Sequence, residues 1–314
     1  MMKEFKTPLK TLACPNCHRY FIVKAGKLIC KHCDFVFDAN QYGFFDFVFD
    51  QNVSEVDTTT EEYVEIQELN GARVYNEYLK PFLLQEPSNR ILDVGCGVGI
   101  IISMLIKDGY DAYGIDLPSL AKFWVKLGND SQHFFCGDAT QLPFPDNFFD
   151  VVFSLGVIEH IGTKIGHCTL SDNYLEARQQ YANEILRVTK PGGRILISCP
   201  NKSFPIDVQH GPRDRLSPES KIRSYICEKT GMNIHRTLGR YHLLSYAETK
   251  KLFCDKGGAR YFEALPLKGY FSFGRFKSGF LKTFTKLTTI YINNLPRFLR
   301  SSFLNPYVLV QIKK

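Results

Sequence analysis

The 314-residue sequence has no run of about 18 apolar residues, so no membrane-spanning helix is expected. It has no apolar h-region near its start, so no secretory leader is expected and the cytoplasm is the expected location. Acids are nearly missing from the last part. Between Ala259 and Lys314 there is one, Glu263, against ten Lys and Arg, so that part carries +9 and leaves the rest near −2 in a chain of net charge +7. The basic character is therefore local. A disulfide framework is not expected either: of ten cysteines, four form two C-x-x-C pairs and six (Cys96, Cys136, Cys168, Cys199, Cys227, Cys254) are scattered. That distribution suits a reducing compartment with a metal site. Hydrophobic content of 44% and charged content of 23% are those of an ordinary globular chain, long enough for one large domain and a small one.

What is present centres on Ile91-Leu92-Asp93-Val94-Gly95-Cys96-Gly97-Val98-Gly99-Ile100. An apolar run meets three alternating glycines, and apolar residues follow at helical spacing, which reads as strand, tight turn, helix. Glycines let the backbone approach a ligand where a Cβ would clash, and the helix start offers N–H groups to an anionic group. The dinucleotide fingerprint G-x-G-x-x-G is not met, because position 100 is Ile. D-x-G-x-G-x-G, with Asp93 inside the strand, resembles motif I of the class I S-adenosylmethionine-dependent methyltransferases, of the type 11 kind. The resemblance implies a loop (Gly95, Cys96, Gly97, Gly99) against the methionine end of the cofactor, with Asp93 fixing its amino group.

The following residues continue the pattern. Strands are expected at 90–94, 111–115, 133–136, 151–154, 194–198, 260–265 and 307–312, alternating with helices at about 98–107, 174–189 and 247–255. The expected fold is α/β: a doubly wound, seven-stranded Rossmann-like methyltransferase sheet, with a small zinc ribbon in front. Asp116, followed by Leu117, ends the second strand about twenty residues past the glycines, where an acid accepts ribose hydroxyls. An N-cap for the helix near Ser119 is a compatible role. By the resemblance, Asp138 and Ala139 after the third strand meet adenine, and Ser154 ends the fourth. The run Phe149 to Ile161 resembles motif IV and its helix, and Glu159-His160 is similar to the pair in ubiquinone-pathway O-methyltransferases, although Gly156 stands where those often carry an acid. His160 reads as a general base or as a structural histidine at a helix start.

Residues 1–47 read as a separate module. Cys14-Pro-Asn-Cys17 and Cys30-Lys-His-Cys33 are knuckles with twelve residues between them, the spacing of a structural four-cysteine zinc site. His18 and His32 flank them. Tyr20, Ile22 and Val23, then Ala25-Gly26, then Leu28-Ile29 read as strand, turn, strand. The module is similar to the zinc-binding domains of the tRNA-methyltransferase-activator type. Residues 48–86 read as a linker (48–60, with Thr58, Thr59 or Thr60 as a cap) and N-terminal helices, and 87–314 as the methyltransferase domain with insertions at 201–240 and 268–305.

In the first insertion Pro205-Ile206-Asp207 and His210 resemble a segment of methyltransferases from surface-polysaccharide clusters, which makes Asp207 and His210 substrate-side candidates; a solvated loop is the alternative. In the second, Phe276, Phe280, Phe284, Leu287, Tyr291, Leu295 and Phe298 recur every three or four residues beside Lys277, Lys282, Lys286, Arg297 and Arg300. Such a stretch suits a lid, a peripheral contact with an anionic membrane, or RNA. The reaction implied is methyl transfer from S-adenosylmethionine to a glycan, a lipid-linked intermediate or another small molecule. The alternative is ribosomal or transfer RNA, docked through the ribbon. No Asn-Pro-Pro-aromatic signature for amino-group methylation follows the fourth strand, where Ser154-Leu155-Gly156-Val157 stands, and that favours the first reading.

Overall fold

A computed structural model describes residues 10–49, 61–164, 169–207, 209–210, 218–230, 233–270 and 287–314. The ribbon folds first in chain order. β1 (Ile22–Lys24) and β2 (Lys27–Ile29) pair antiparallel around Ala25 and Gly26, at φ 51° and 78°, the mirror-image turn that suits strand twist. β3 (Val36–Phe37) adds to β2, a strand the sequence pattern did not announce. The two knuckles are copies of one another. The N–H of His18 donates to the Cys14 carbonyl (2.7 Å) and that of Asp34 to the Cys30 carbonyl (2.9 Å), and His18 and Asp34 both take positive φ.

α1 (Glu61–Val74) runs through a π-helical turn at Tyr75–Leu79 into α2 (Lys80–Leu83). The main sheet follows: β4 (Arg90–Val94), α3 (Ile100–Lys107), β5 (Asp111–Asp116), α4 (Ala121–Lys126), β6 (Phe134–Cys136) and β7 (Phe149–Leu155). A two-residue pair, β8 (Thr163–Lys164) with β9 (Thr169–Leu170), precedes α5 (Tyr174–Val188) and β10 (Thr189–Pro200). β11 (Ile206–Asp207), α6 (Pro218–Thr230), β12 (Asn233–Ile234), α7 (Tyr246–Lys250), β13 (Tyr261–Ala264) and β14 (Tyr307–Lys313) complete the described elements.

The seven-stranded sheet has the order β13-β14-β10-β7-β4-β5-β6. β4, β5, β6 and β7 pair in parallel. β14 runs against β10: Gly192 and Gly193 bond to Lys314 while Asn201 bonds to Pro306. The sheet is thus mixed, of the expected Rossmann-like class. β10 is longer than the expected 194–198, because Gly192, at φ 76°, donates its N–H to the Lys314 carbonyl (3.2 Å) and draws the Pro-Gly-Gly turn into the ladder. Ser245 caps α7 with a reciprocal bond to Glu248.

The described residues form two compact units. The first takes those up to Ser154, with 180–195 and 313–314; the second takes 155–179 and 196–312. The ribbon belongs to the first. The N–H of Phe47 donates to the Cys136 carbonyl and that of Cys136 to Phe45 (both 2.9 Å), so the ribbon's exit covers the β6 edge of the sheet. Phe44 meets Trp124 edge-on at 5.1 Å, and Phe47 lies 6.4 Å from Phe135. These rings are buried, so the small module shares the apolar core it is too short to build alone.

In the second unit, 201–240 is more than a solvated loop. β11 pairs antiparallel with β12, and α6 lies between them in sequence, opened by Pro218 at a position where its missing N–H costs nothing. Of the basic aromatic stretch, 271–286 lies outside the described residues, as do 50–60 with the threonine cap. Residues 287–293 are helical; Ile292 is buried while Leu287, Ile290 and Tyr291 are exposed. Among the described residues no helix is long and apolar enough to cross a membrane.

Candidate functional sites

In the first unit, β4 delivers the chain to the glycine loop. Gly95, Gly97 and Gly99 take φ of 85°, 56° and 88°, a region that side chains resist. A Cβ on Gly99 would lie 2.5 Å from the Phe134 ring, and one on Gly97 would lie 2.1 Å from Gln67 Oε1. Gln67, from α1, also accepts the Val98 N–H at 3.2 Å. No spacing pattern marks Gln67 in the sequence, yet it covers the loop.

Asp116 sits where the sequence placed it. One carboxylate oxygen accepts the Gly97 N–H (2.7 Å) and the other the Leu117 N–H (2.7 Å). Each oxygen keeps a further lone pair, which is what two vicinal hydroxyls need. Asp93 is buried at the end of β4. Burial, and then the charge of Asp116, raise its carboxyl well above the ordinary range; burial raises Asp116 as well. Two buried acids that both resist ionisation attract a cationic group, as the ammonium and sulfonium of the expected cofactor are.

Trp124 Nε1 holds the Gly97 carbonyl at 2.8 Å, and Ser154 Oγ donates to the Val94 carbonyl at 2.6 Å, so Ser154 braces β4 from β7. Asp138 Oδ1 accepts both the N–H and the hydroxyl of Thr140 (2.8 and 2.9 Å), which shapes the turn that begins at Asp138 and Ala139. Cys96 is buried, its Sγ tight against Gly114 and its N–H given to the Ile115 carbonyl. It packs under the loop.

Also in this unit, the four ribbon cysteines gather with their Sγ atoms within 4.8 Å of one another. Cys17 and Cys30 Sγ are 3.5 Å apart. Burial pushes the Cys14 thiol up to about 12; at Cys30 burial acts in the same direction but is outweighed by the N–H groups of Cys33 and His32, which bring it down to about 7. His18 turns instead to Glu184 (3.8 Å) and Asp146 (4.0 Å), and His32 Nδ1 lies 3.7 Å from Cys33 Sγ.

The second unit holds a cluster of histidines and acids, and it brings together the general-base candidate His160 and the two substrate-side candidates, Asp207 and His210. Asp207 accepts the N–H groups of Gln209 (2.9 Å) and His210 (3.0 Å) and lies 3.1 Å from His210 Nδ1. His210 Nε2 lies 3.3 Å from His160 Nε2. Although burial opposes ionisation, the His210 bond and these N–H groups bring Asp207 below the usual carboxylate range. An ionised Asp207 fixes the proton of His210 on Nδ1 and turns Nε2 toward His160.

Two further members were not named as site residues from the sequence, although Glu159 was noted there as the partner of His160. Glu159 is fully buried and neither of its oxygens has a hydrogen bond; burial pushes it up to about 7 against the charge of His210. His242 is 2% exposed, its two ring nitrogens lack hydrogen bonds, and Nε2 lies 3.7 Å from Asp207. Burial, then the charge of His210, push it down to about 3, so it stays neutral. The pairing of Glu159 with His160 was its signal in the sequence; His242 has none. The guanidinium of buried Arg178 donates to the carbonyls of Glu159, Ile161 and His242, fixing the backbone that presents the cluster.

Residues 92–197 match the Methyltransf_11 family, a methyltransferase domain. The chain is similar to a 2-methyl-6-phytyl-1,4-hydroquinone methyltransferase of Synechocystis, 34% identical over 116 residues, covering 36% of this chain and 32% of that protein. It is similar to a demethylmenaquinone methyltransferase of Renibacterium salmoninarum, 36% identical over 114 residues, covering 36% of this chain and 41% of that one. The chain therefore spans less than half the length of these curated relatives. Among solved structures, phosphoethanolamine N-methyltransferase 2 of Haemonchus contortus aligns at 18% identity and TM-score 0.47, covering 85% of this chain and 60% of that one. The matched segment contains β4 with its glycine loop, Asp116, Asp138, Ser154 and the Glu159-His160 pair, and 92–197 is a methyltransferase domain of the S-adenosylmethionine-dependent class.

Proposed function

We propose that this chain transfers the methyl group of S-adenosylmethionine to a hydroxyl oxygen of a small-molecule, glycan or lipid-linked acceptor. The glycine loop with Asp93 and Asp116 supports the cofactor half of this reading. The acceptor half is carried by one observation: the Asp207–His210–His160 array, which a methyl transfer to an already unprotonated nitrogen would not need. The acceptor oxygen attacks the methyl carbon, the carbon–sulfur bond breaks with its electron pair going to sulfur, and a neutral thioether leaves. The hydroxyl proton must be lost, and this array is the group suited to accept it or weaken its hold. The protein otherwise supplies proximity and orientation. The exposed Leu287, Ile290, Tyr291, Phe298 and Phe303 beside Arg297 and Arg300 support an acceptor presented at a lipid surface.

The cysteine cluster fits structural Zn2+. Sulfurs bound tetrahedrally at about 2.3 Å lie about 3.8 Å apart, close to the 3.5 Å between Cys17 and Cys30. Cys14, Cys17, Cys30 and Cys33 would hold the ion, whose closed coordination stabilises the fold and takes no part in the chemistry.

The test is incubation of the full chain with methyl-labelled S-adenosylmethionine and an extract of its own cells, followed by partition of the label. Counts in lipid, glycan or small-molecule fractions that fall in His160→Gln support the reading. Counts in RNA would overturn the acceptor class, and the ribbon would then be an RNA-docking module.

A further inference from the structure

We propose that Asp46, carried by the exit of the ribbon, belongs to the cofactor site and accepts a hydrogen bond from the exocyclic amine of adenine. Register along the sheet supports this. Asp116 of β5 is paired with Cys136 of β6, and Cys136 is paired in parallel with Asp46. The N–H of Cys136 donates to the Phe45 carbonyl and that of Phe47 to the Cys136 carbonyl, so Asp46 stands where a further strand would place it. Asp116, Cys136 and Asp46 thus form one row across neighbouring chains, and residues in such a row project to the same face.

The rings identify that face. Phe44, two residues before Asp46, meets Trp124, whose Nε1 holds the Gly97 carbonyl. Phe134, two residues before Cys136, lies 5.4 Å from Trp124 and is the ring that a Cβ on Gly99 would strike. Phe45 and Phe47 alternate to the other face, where Phe47 lies 6.4 Å from Phe135. Asp46 is therefore on the face that carries the glycine loop.

The order of the strands places the base. Asp93 ends β4, Asp116 offers its oxygens to ribose at the end of β5, and β6 follows β5 in the sheet. The base and the sulfur-bearing arm leave the ribose ring on opposite sides. With the arm running back to β4, the base extends over the end of β6 and beyond it. Asp46 stands two strand spacings from Asp116, about 10 Å, the scale of an adenosine from its ribose hydroxyls to its amine.

Asp46 also has an oxygen to give. Oδ1 accepts the Val48 N–H at 3.0 Å, while Oδ2 accepts no hydrogen bond among the described residues. The side chain is half-buried, and burial raises its carboxyl above the usual range. Its segment is held in place: Asn40 Oδ1 accepts the N–H groups of Tyr42 (3.0 Å) and Phe44 (3.2 Å), and Asn40 Nδ2 donates to Cys136 Sγ (3.3 Å). The amine carries two N–H bonds, so Asp46 and Asp138, in the turn that follows β6, can each take one. This role rests on the glycine loop as the S-adenosylmethionine site and extends that site into the ribbon.

The test is calorimetric titration of the full chain with S-adenosyl-L-homocysteine and with S-inosyl-L-homocysteine, in which a carbonyl oxygen replaces the amine. The parent is expected to favour the adenosyl ligand at least about 10-fold. Asp46→Asn keeps an acceptor for Val48 but sets an amide N–H in place of Oδ2. It should weaken the adenosyl ligand about 10-fold or more, bind the inosyl ligand as well as the parent does or better, and keep the parent's thermal midpoint. Asp46→Ser, whose hydroxyl also serves such a turn, is the second variant and should lower the preference without raising inosyl affinity. Overturning results are no preference in the parent, a preference unchanged in the folded variants, or both ligands weakened alike, the mark of an Asp46 that only shapes the chain. Failure of the parent to bind S-adenosyl-L-homocysteine overturns the cofactor assignment and this role with it, whereas the other three leave that assignment standing.

Discussion

The two units bury acids and settle them differently. Around the glycine loop, Asp116 spends both oxygens on the N–H groups of Gly97 and Leu117, so the carboxylate and the loop hold each other in place before any ligand arrives. In the histidine cluster the burden is uneven. Asp207 takes two N–H groups and an imidazole and lies below the usual range, while Glu159, equally buried, takes none and rises to about 7. Partners outweigh burial at Asp207, whereas at Asp116 two N–H groups do not offset it and the carboxyl stays raised. The first unit thus orders its loop through Asp116, and both units hold buried acids whose state a proton, a cation or a substrate can change.

Variants in both units break or sharpen that contrast. The largest effect is expected in the ribbon, whose Phe44, Phe45 and Phe47 tie it to the first unit. Cys30→Ser should abolish the proposed zinc binding and lower the thermal midpoint of the first unit, since structural zinc supplies on the order of 10 kcal/mol. Metal analysis and calorimetric melting read both. Next, Asp93→Ala should weaken S-adenosylmethionine on the order of 100-fold by loss of a charged contact, and Gly99→Ala should do likewise by pushing a Cβ into Phe134. Calorimetry of binding checks each.

In the second unit, Asp207→Asn removes the anion that orients His210 and should cost roughly 3 to 5 kcal/mol in denaturant melts, as removal of one partner of a buried charged pair does. Glu159→Gln works in the opposite direction. A folded carboxyl raised to about 7 contributes stability that is fully present below its unfolded value near 4.5 and is lost as pH rises to about 7. Relative to the parent, the variant should therefore gain on the order of 3 kcal/mol between those pH values. The smallest effect is at the loop. Asp93 resists ionisation until a cation binds, so cofactor affinity should rise with pH, with a slope that shrinks in Asp93→Asn and keeps only the share of Asp116.

What the sequence showed, and what it hid, follows the same division. The loop is local: Asp93, Gly95, Gly97 and Gly99 are legible because their spacing is their geometry, and Asp116 follows at the distance a strand–helix–strand unit imposes. Strand positions came within a few residues because apolar runs bounded by Gly, Asp and Pro encode them. Gln67 was invisible, for it reaches the loop from a helix with no distinguishing pattern. The ribbon's knuckles were plain, but its docking was not, since three phenylalanines after a turn do not say which strand they will cover. The histidine cluster draws on 159–160, 207–210 and 242, and no spacing relates positions brought together by tertiary folding alone.

The most direct test of the central claim is a calorimetric titration of the full chain with S-adenosylmethionine, beside Asp93→Ala and His160→Gln. The structure predicts one saturable site in the parent, the same affinity in His160→Gln, and an affinity weaker on the order of 100-fold in Asp93→Ala. Absence of binding in the parent, or affinity unchanged in Asp93→Ala, would contradict the assignment of the glycine loop and the methyl transfer built on it.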